Sequence, residues 1–184
     1  MIIGITGTDG AGKGTVVRYL VEEKGFTHYS ARDFLVTEIK KRGLPMSRNQ
    51  MRLMGNEFRE KFGNDFIVSR AYDLIKKDAV DRAVIESLRA VGEAEFLKEQ
   101  GGILLAVDAS KEVRFKRVQA RRSESDKVTF EDFIRYEEIE KNDHLPNGLN
   151  KAAVMEMADY TIYNNGSMDE LRKEVEIFCD SYAI

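Results

Sequence analysis

Apolar residues along this chain alternate between short unbroken runs and helical spacing. Ile2-Ile3-Gly4-Ile5-Thr6 is a compact run ending among glycines, which predicts a strand buried on both faces. Val16, Val17, Leu20 and Val21 follow at helical spacing, so a helix is expected over 14–24, with Gly25 as its C-terminal cap. Residues 26–30 read as a second strand. Three helical segments come next. One covers 31–42. One starts at Ser47, with Gln50 completing a capping box and Met51, Met54, Phe58 and Phe62 turned inward. The third begins near Asp65, with Ile67, Ala71 and Leu74 on one face. Ala83–Glu86 and Ile103–Val107 are further strand-like runs, separated by a helical stretch over 90–100. Helices are expected at 110–122, 129–140 and 150–158, then a strand at Tyr160–Tyr163 and a final helix burying Leu171, Val175 and Phe178. Strands alternating with helices predict an α/β three-layer sandwich around a five-stranded parallel sheet.

Composition narrows the function classes. A length of 184 residues with 42% apolar and 33% charged positions fits a single domain, 1–184, with a real core. Lys and Arg number 29 against 32 Asp and Glu, a formal charge of −3, so no basic excess points to a nucleic-acid polymer as partner. Cys179 is the one cysteine, which excludes a disulfide framework and a metal site built on cysteines. No apolar run approaches the ~18 residues of a membrane span. The N-terminal residues lack a signal-peptide pattern, so a cytoplasmic location away from membranes is expected. No heptad or oversized apolar surface sets an oligomeric state.

The sharpest chemical signal lies between the first strand and the first helix: Gly7-Thr8-Asp9-Gly10-Ala11-Gly12-Lys13-Gly14-Thr15. Glycines let successive N–H groups turn toward phosphate oxygens, and the helix N-terminus adds a favourable field. Lys13 is then placed to reach the β and γ phosphates of ATP, and the Thr15 hydroxyl to face Mg²⁺. In the strict pattern Ser or Thr follows the lysine directly; here Gly14 intervenes. Asp9 sits inside the loop, where a carboxylate beside polyphosphate is costly. It is expected either to shape the turn before Gly10 or to reach Mg²⁺ or a sugar hydroxyl. Glu86 ends a strand on the ligand-binding side of the sheet and is a candidate for holding a Mg²⁺-bound water.

The Gly12-Lys13-Gly14-Thr15 ending resembles that of adenylate kinase and its nucleoside-monophosphate kinase relatives. His28 to Leu35 looks like the segment that opens the family's acceptor-nucleotide region, and Val36 stands where adenylate kinases carry an acceptor-gripping arginine. Ile85-Glu86-Ser87-Leu88-Arg89 looks like the Asp-Gly-Phe-Pro-Arg strand end. Ala158 to Ser167 is similar to the last strand and turn of dephospho-CoA kinase and of a set of archaeal predicted nucleotide kinases. The resemblance implies a P-loop NTPase sandwich with a helical acceptor-binding region at 31–80 and a short lid at 114–145. It also implies a kinase using ATP and Mg²⁺ on a small phosphorylated acceptor.

Arg114, Arg117 and Arg121 recur at i, i+3 and i+7 and so share a helix face in the lid region, beside Arg122. Arg117 and Arg121 are the candidates for offsetting charge on the moving phosphoryl group. Arg32 and Arg89 are candidates for holding the acceptor, Arg32 in place of the arginine missing at Val36. Dephospho-CoA kinases place an Asp-Ala-Asp motif where this chain has Ser30-Ala31-Arg32, so an anionic acceptor is expected over an alcohol. Arg48, Arg52 and Arg59 share a face opposite the methionines, which reads as solvated with the acceptor pocket as the alternative, and His28, His144 and Cys179 form no visible constellation. The leading expectation is phosphoryl transfer to a nucleoside or deoxynucleoside monophosphate. The alternatives are phosphorylation of a metabolite hydroxyl, as in dephospho-CoA kinase, and an ATP-gated switch. No Asn-Lys-x-Asp segment supports a GTPase.

Overall fold

The apolar runs form the centre of a sheet. In a computed structural model, which describes residues 1–120, 129–141 and 148–184, β1 (Ile2–Gly7) is flanked by β3 (Ala83–Glu86) and β4 (Ile103–Asp108). β2 (Thr27–Ser30) and β5 (Tyr160–Tyr163) lie outside them, giving the order β2-β3-β1-β4-β5. Every pairing is parallel, with Ile5 opposite Glu86 on one side and Leu105 on the other. Parallel neighbours need crossovers, and the helices supply them on both faces.

One face packs Ile3, Ile5, Val84, Leu105, Val107 and Ile162 against α1 (Lys13–Lys24) and α9 (Met168–Ser181). The other sets Ala83, Ile85 and Leu104 against α4 (Phe66–Lys77), α5 (Val91–Glu99) and α8 (Lys151–Glu156). Each fully buried Val, Leu or Ile contributes roughly 1.5–3 kcal/mol, so the two layers hold the sheet's upper edge in place. Cys179 is part of the first cluster, as a small apolar group. Gly25 caps α1 at φ 70°, in the left-handed region the sequence reading requires.

The helical region after β2 consists of α2 (Ala31–Lys41), α3 (Arg48–Phe62) and α4. Ser30 and Ser47 cap the first two through hydroxyls that accept from Asp33 N–H and Gln50 N–H, each at 3.0 Å. These helices enclose a separate small core of Ile39, Met54 and Phe58, packed by Phe34, Leu35, Met51 and Phe66. Phe62 departs from the expected inward position and is 51% exposed. It lies in the last turn of α3, at the rim of this core, and stacks on Phe66 at 4.6 Å and on Phe58 at 6.0 Å between ring centroids.

α6 (Lys111–Ala120) and α7 (Phe130–Lys141) complete the described elements. β4 runs one residue past the expected Val107, to Asp108. Arg121, Arg122 and His144 lie outside the described residues.

Candidate active site

The loop after β1 is shaped by three glycines at positive φ: Gly7 at 131°, Gly10 at 83° and Gly12 at 106°. A Cβ at Gly7 would lie 2.0 Å from the Val107 carbonyl oxygen, and one at Gly10 would lie 2.5 Å from that of Arg114. Gly14 is different: nothing lies within 4 Å of its would-be Cβ. The loop is therefore wedged between β4 and the start of α6, and two outside side chains hold its shape. Asn164, buried just past β5, donates from Nδ2 to the Ala11 carbonyl at 2.7 Å. The Thr8 hydroxyl donates to Asp108 Oδ1 at 2.5 Å, and the same oxygen accepts from Ala109 N–H at 2.8 Å.

Lys13 folds back along the loop, with Nζ donating to the Gly7 and Thr8 carbonyls at 3.0 and 2.9 Å. Burial lowers its pKa to about 8; Asp9 and Glu86 oppose the shift, and the Lys151 and Arg89 charges add to it. Asp9 Oδ1 is a point of convergence. It lies 3.9 Å from Lys13 Nζ, 3.8 Å from Arg89 Nη2 and 3.6 Å from Lys151 Nζ. The Asp9 carboxylate thus faces the site and gathers cations from the loop, the β3 end and α8. Its backbone carbonyl accepts from Arg114 Nη1 at 3.4 Å.

A cavity of about 520 Å³ opens from this point toward the helical region. Gly10, Gly12, Lys13, Gly14 and Thr15 form its loop wall, together with Asp9. Glu86, Ser87 and Arg89 come from the end of β3, and Arg32, Arg52 and Arg59 from α2 and α3. Ser87 has φ 76°, unusual for a residue with a side chain, and its N–H donates to the Ile5 carbonyl at 2.9 Å. Glu86 Oε2 lies 3.3 Å from His28 Nε2. Burial alone would raise the Glu86 carboxyl, but the His28 hydrogen bond and the Lys13 charge outweigh it and hold the group below the usual range.

Several expectations change here. Arg59 is no solvated residue: it is 4% exposed, ion-paired to Glu93 at 2.7 Å, and lines the cavity. Arg52 lines the same wall, beside Met51 rather than opposite it. His28 does have a partner, Glu86. Arg114 does not share an open face with Arg117. It is buried, donates from Nε to the Ala109 carbonyl at 2.8 Å, and pairs with Glu137 under α7. Arg117 is turned to the segment after β5, donating to the Asn164 carbonyl at 2.9 Å and to the Gly166 carbonyl at 3.4 Å. Asn164 is therefore more than a turn residue, since it ties the phosphate loop to Arg117. Asp33, the acid nearest the missing Asp-Ala-Asp motif, does not line the cavity.

Lys151, Asp108, Asn164 and Glu93 were not singled out from sequence. Lys151 is 5% exposed on a short helix whose composition signals nothing, so only the fold brings it to Asp9. The residues fit a bound nucleoside triphosphate: a loop with no room for a Cβ at Gly7, Gly10 or Gly12, a lysine and the N-terminus of α1. The Thr15 hydroxyl and Glu86 carboxylate supply hard oxygen donors to the same cavity, and Mg²⁺ keeps most of its waters when bound this way. Among the described residues no cluster of three or more His, Cys, Asp or Glu could hold a metal by itself. No helix among them is long and apolar enough to cross a membrane.

Comparison with known proteins agrees with this arrangement. Residues 3–143 match the AAA domain family. A UPF0200 protein of Thermococcus kodakarensis is 30% identical over 188 aligned positions, which cover 98% of this chain and 97% of that protein. A UPF0200 protein of Methanothermobacter thermautotrophicus is 28% identical, covering 96% of this chain and 87% of that one. Among solved structures, shikimate kinase from Bacteroides thetaiotaomicron superposes with a TM-score of 0.57 at 13% identity, covering 100% of this chain and 99% of that one. Shikimate kinase from Aquifex aeolicus gives 0.55 at 19% identity, covering 100% and 98%. The glycine cradle, the strand order and these likenesses agree on a P-loop NTPase fold, and the chain belongs to the AAA domain family and to the UPF0200 proteins.

Proposed function

We propose that the chain is an ATP-dependent kinase whose acceptor is a nucleoside or deoxynucleoside monophosphate. The observation that carries this reading is the charge of the cavity wall facing the phosphate loop. Arg32, Arg52, Arg59 and Arg89 line it, whereas among the described residues its carboxylates are Asp9 and Glu86. Asp9 is shared by three cations and Glu86 is paired with His28. Glu86, which His28 and Lys13 hold below the usual carboxylate range, is a weak base. An alcohol acceptor benefits from a general base, while a monophosphate already presents an anionic oxygen.

Bound ATP and Mg²⁺ would supply the phosphoryl group and a first share of the charge compensation. Lys13 leaves the Gly7 and Thr8 carbonyls to hold the β and γ oxygens, and the loop N–H groups orient them. Arg117, tied to the Asn164 carbonyl, fixes the wall beside the loop. Arg121 is proposed to act from the lid. Lys151 and Arg89 stand at Asp9, between the loop and the acceptor wall, where a phosphoryl group in transit passes; they offset its charge. Arg32 and Arg89 hold the acceptor phosphate. Thr15 and Glu86 would hold the ion through its waters.

The test is ATP turnover against a panel of nucleoside and deoxynucleoside monophosphates, with dephospho-CoA and shikimate as hydroxyl acceptors. Monophosphate-dependent ADP release at least a hundredfold above water-only hydrolysis is expected. Faster turnover of either hydroxyl acceptor would replace the reading. Tight ATP binding with slow hydrolysis and no acceptor dependence would point instead to a nucleotide-gated switch.

A further inference from the structure

Glu93 lies in the first turn of α5, 1% exposed and outside the cavity, yet besides capping its own helix at Ala90 it bonds to two residues that line that cavity. Its Oε1 accepts from Arg59 Nε at 2.9 Å and Arg59 Nη2 at 2.7 Å. Its Oε2 accepts from the backbone N–H of Arg89 at 2.8 Å and of Ala90 at 3.1 Å. A single buried carboxylate therefore fixes two cavity-lining arginines that sit on different elements. It holds one by the guanidinium and the other by the main chain.

The orientation of Arg59 is specific. Glu93 grips its guanidinium from the side, and Asn56 Oδ1 accepts from Nη1 at 3.3 Å. Nη1 packs close over Gly55, where a Cβ would lie 3.2 Å from it, and in this position Arg59 lines the cavity. A buried ion pair contributes little to stability compared with apolar groups of the same volume. Joining α3 to α5 does not by itself require charge, whereas aiming a guanidinium into a cavity does.

We propose that Glu93 is a positioning residue that seats Arg59 and Arg89 as a two-arginine clamp for the anionic group the acceptor brings with it. Glu93 itself never touches the acceptor. The inference rests on the kinase reading above, and it names the recognition element of the acceptor half.

The first test is steady-state kinetics of Glu93→Gln with ATP and the best monophosphate of the panel. The KM for the monophosphate is expected to rise at least tenfold while the KM for ATP stays within twofold. A joint rise in both, or no change in either, overturns the clamp. Because Glu93→Gln leaves the buried Arg59 charge without its partner, Arg59→Met/Glu93→Gln serves as a folded second variant. It is expected to show the same acceptor defect, and a wild-type acceptor KM in this double variant overturns the proposal.

A second readout does not depend on turnover. The arginine Nε–H resonances of ¹⁵N-labelled protein are followed while inorganic phosphate is added. Shifts at both Arg59 and Arg89 in the wild type, with the Arg59 shift reduced in Glu93→Gln, support the clamp; their absence overturns it. If no monophosphate is turned over but both resonances respond to phosphate, the kinase reading fails and the clamp stands.

Discussion

Lys13 holds its charge at the expense of the fold. Burial brings its pKa from 10.5 to about 8, and a shift of that size corresponds to about 3 kcal/mol of differential interaction between the two protonation states. Between pH 8 and 10.5 the unfolded chain keeps a proton that the folded chain has released. The Lys13 contribution to stability therefore rises with pH across that window, and below it the full penalty is present. Lys13→Met removes the penalty and also the donor to the Gly7 and Thr8 carbonyls, each hydrogen bond worth about 1 kcal/mol. At pH 7 the variant is expected to be about 1–2 kcal/mol more stable than the wild type although it binds no ATP productively. That advantage should shrink by roughly 2–3 kcal/mol by pH 10 and change sign. Urea unfolding followed by far-ultraviolet circular dichroism at each pH measures it; the chain has no tryptophan for fluorescence. Other alkaline titrations, such as the raised Tyr29 and Cys179 groups, cancel in the difference between the two proteins. A difference constant from pH 7 to 10 would refute the reasoning. The same proton appears in binding: the wild-type Kd for ATP is expected to be flat below pH 8 and to weaken about tenfold per unit above it.

The glycines of the loop should separate by their surroundings. Gly10→Ala meets the Arg114 carbonyl at 2.5 Å at φ 83°, and is expected to lower stability by about 2 kcal/mol or more and to abolish ATP binding. Gly14→Ala meets nothing within 4 Å in the first turn of α1, and should leave the unfolding free energy unchanged or raise it by about 0.5–1 kcal/mol, read in urea unfolding. Asn164→Ala leaves the Ala11 carbonyl without its donor and removes one of the acceptors of Arg117, for a loss of about 1–3 kcal/mol and an ATP affinity reduced at least tenfold by calorimetry. His28→Ala acts through Glu86, whose lowered carboxyl contributes stability above its unfolded pKa and loses it as pH falls. The drop in unfolding free energy from about pH 6 to pH 3 should be smaller in this variant, and an unchanged acid limb counts against the pairing.

Legibility from sequence follows the range of the interaction. The strands could be placed because Ile2–Ile5, Ala83–Ile85 and Ile103–Val107 are buried on both faces and so are apolar without interruption. The phosphate loop could be read because backbone geometry dictates its residue types within nine consecutive positions. What escaped is set by contacts across the chain. Asn164 has turn composition, and its second role arises only because β5 ends beside a loop 153 residues earlier. Arg59 and Glu93 are 34 residues apart, and each alone has the pattern of a surface charge on a helix. Phe62 differs for the opposite reason: helical spacing extends to the end of α3, where the ring stacks on Phe58 and Phe66 at the rim of their core and keeps half its surface in solvent.

Charge is where local and global readings diverge most. The chain total is −3, yet Lys13, Arg18, Arg32, Arg52, Arg59 and Arg89 line one cavity against Asp9 and Glu86. Such a concentration is costly without compensation, and the molecule arranges it in two ways. Glu93 neutralises Arg59 from outside the cavity, where no ligand displaces it. Asp9 neutralises Lys13, Arg89 and Lys151 from inside, at distances of 3.6–3.9 Å, in the space between loop and acceptor wall. The two acids therefore differ in what a bound phosphate does to them. A phosphate entering that space competes with Asp9 for the same three cations and leaves Glu93 untouched. At an effective dielectric near 20, each such contact is worth about 4 kcal/mol of Coulomb energy before desolvation. A single carboxylate thus holds the three cations together, and a polyphosphate with several charges outcompetes it. The carboxylate in the glycine loop, costly beside a phosphate when considered alone, keeps Lys13, Arg89 and Lys151 from repelling one another.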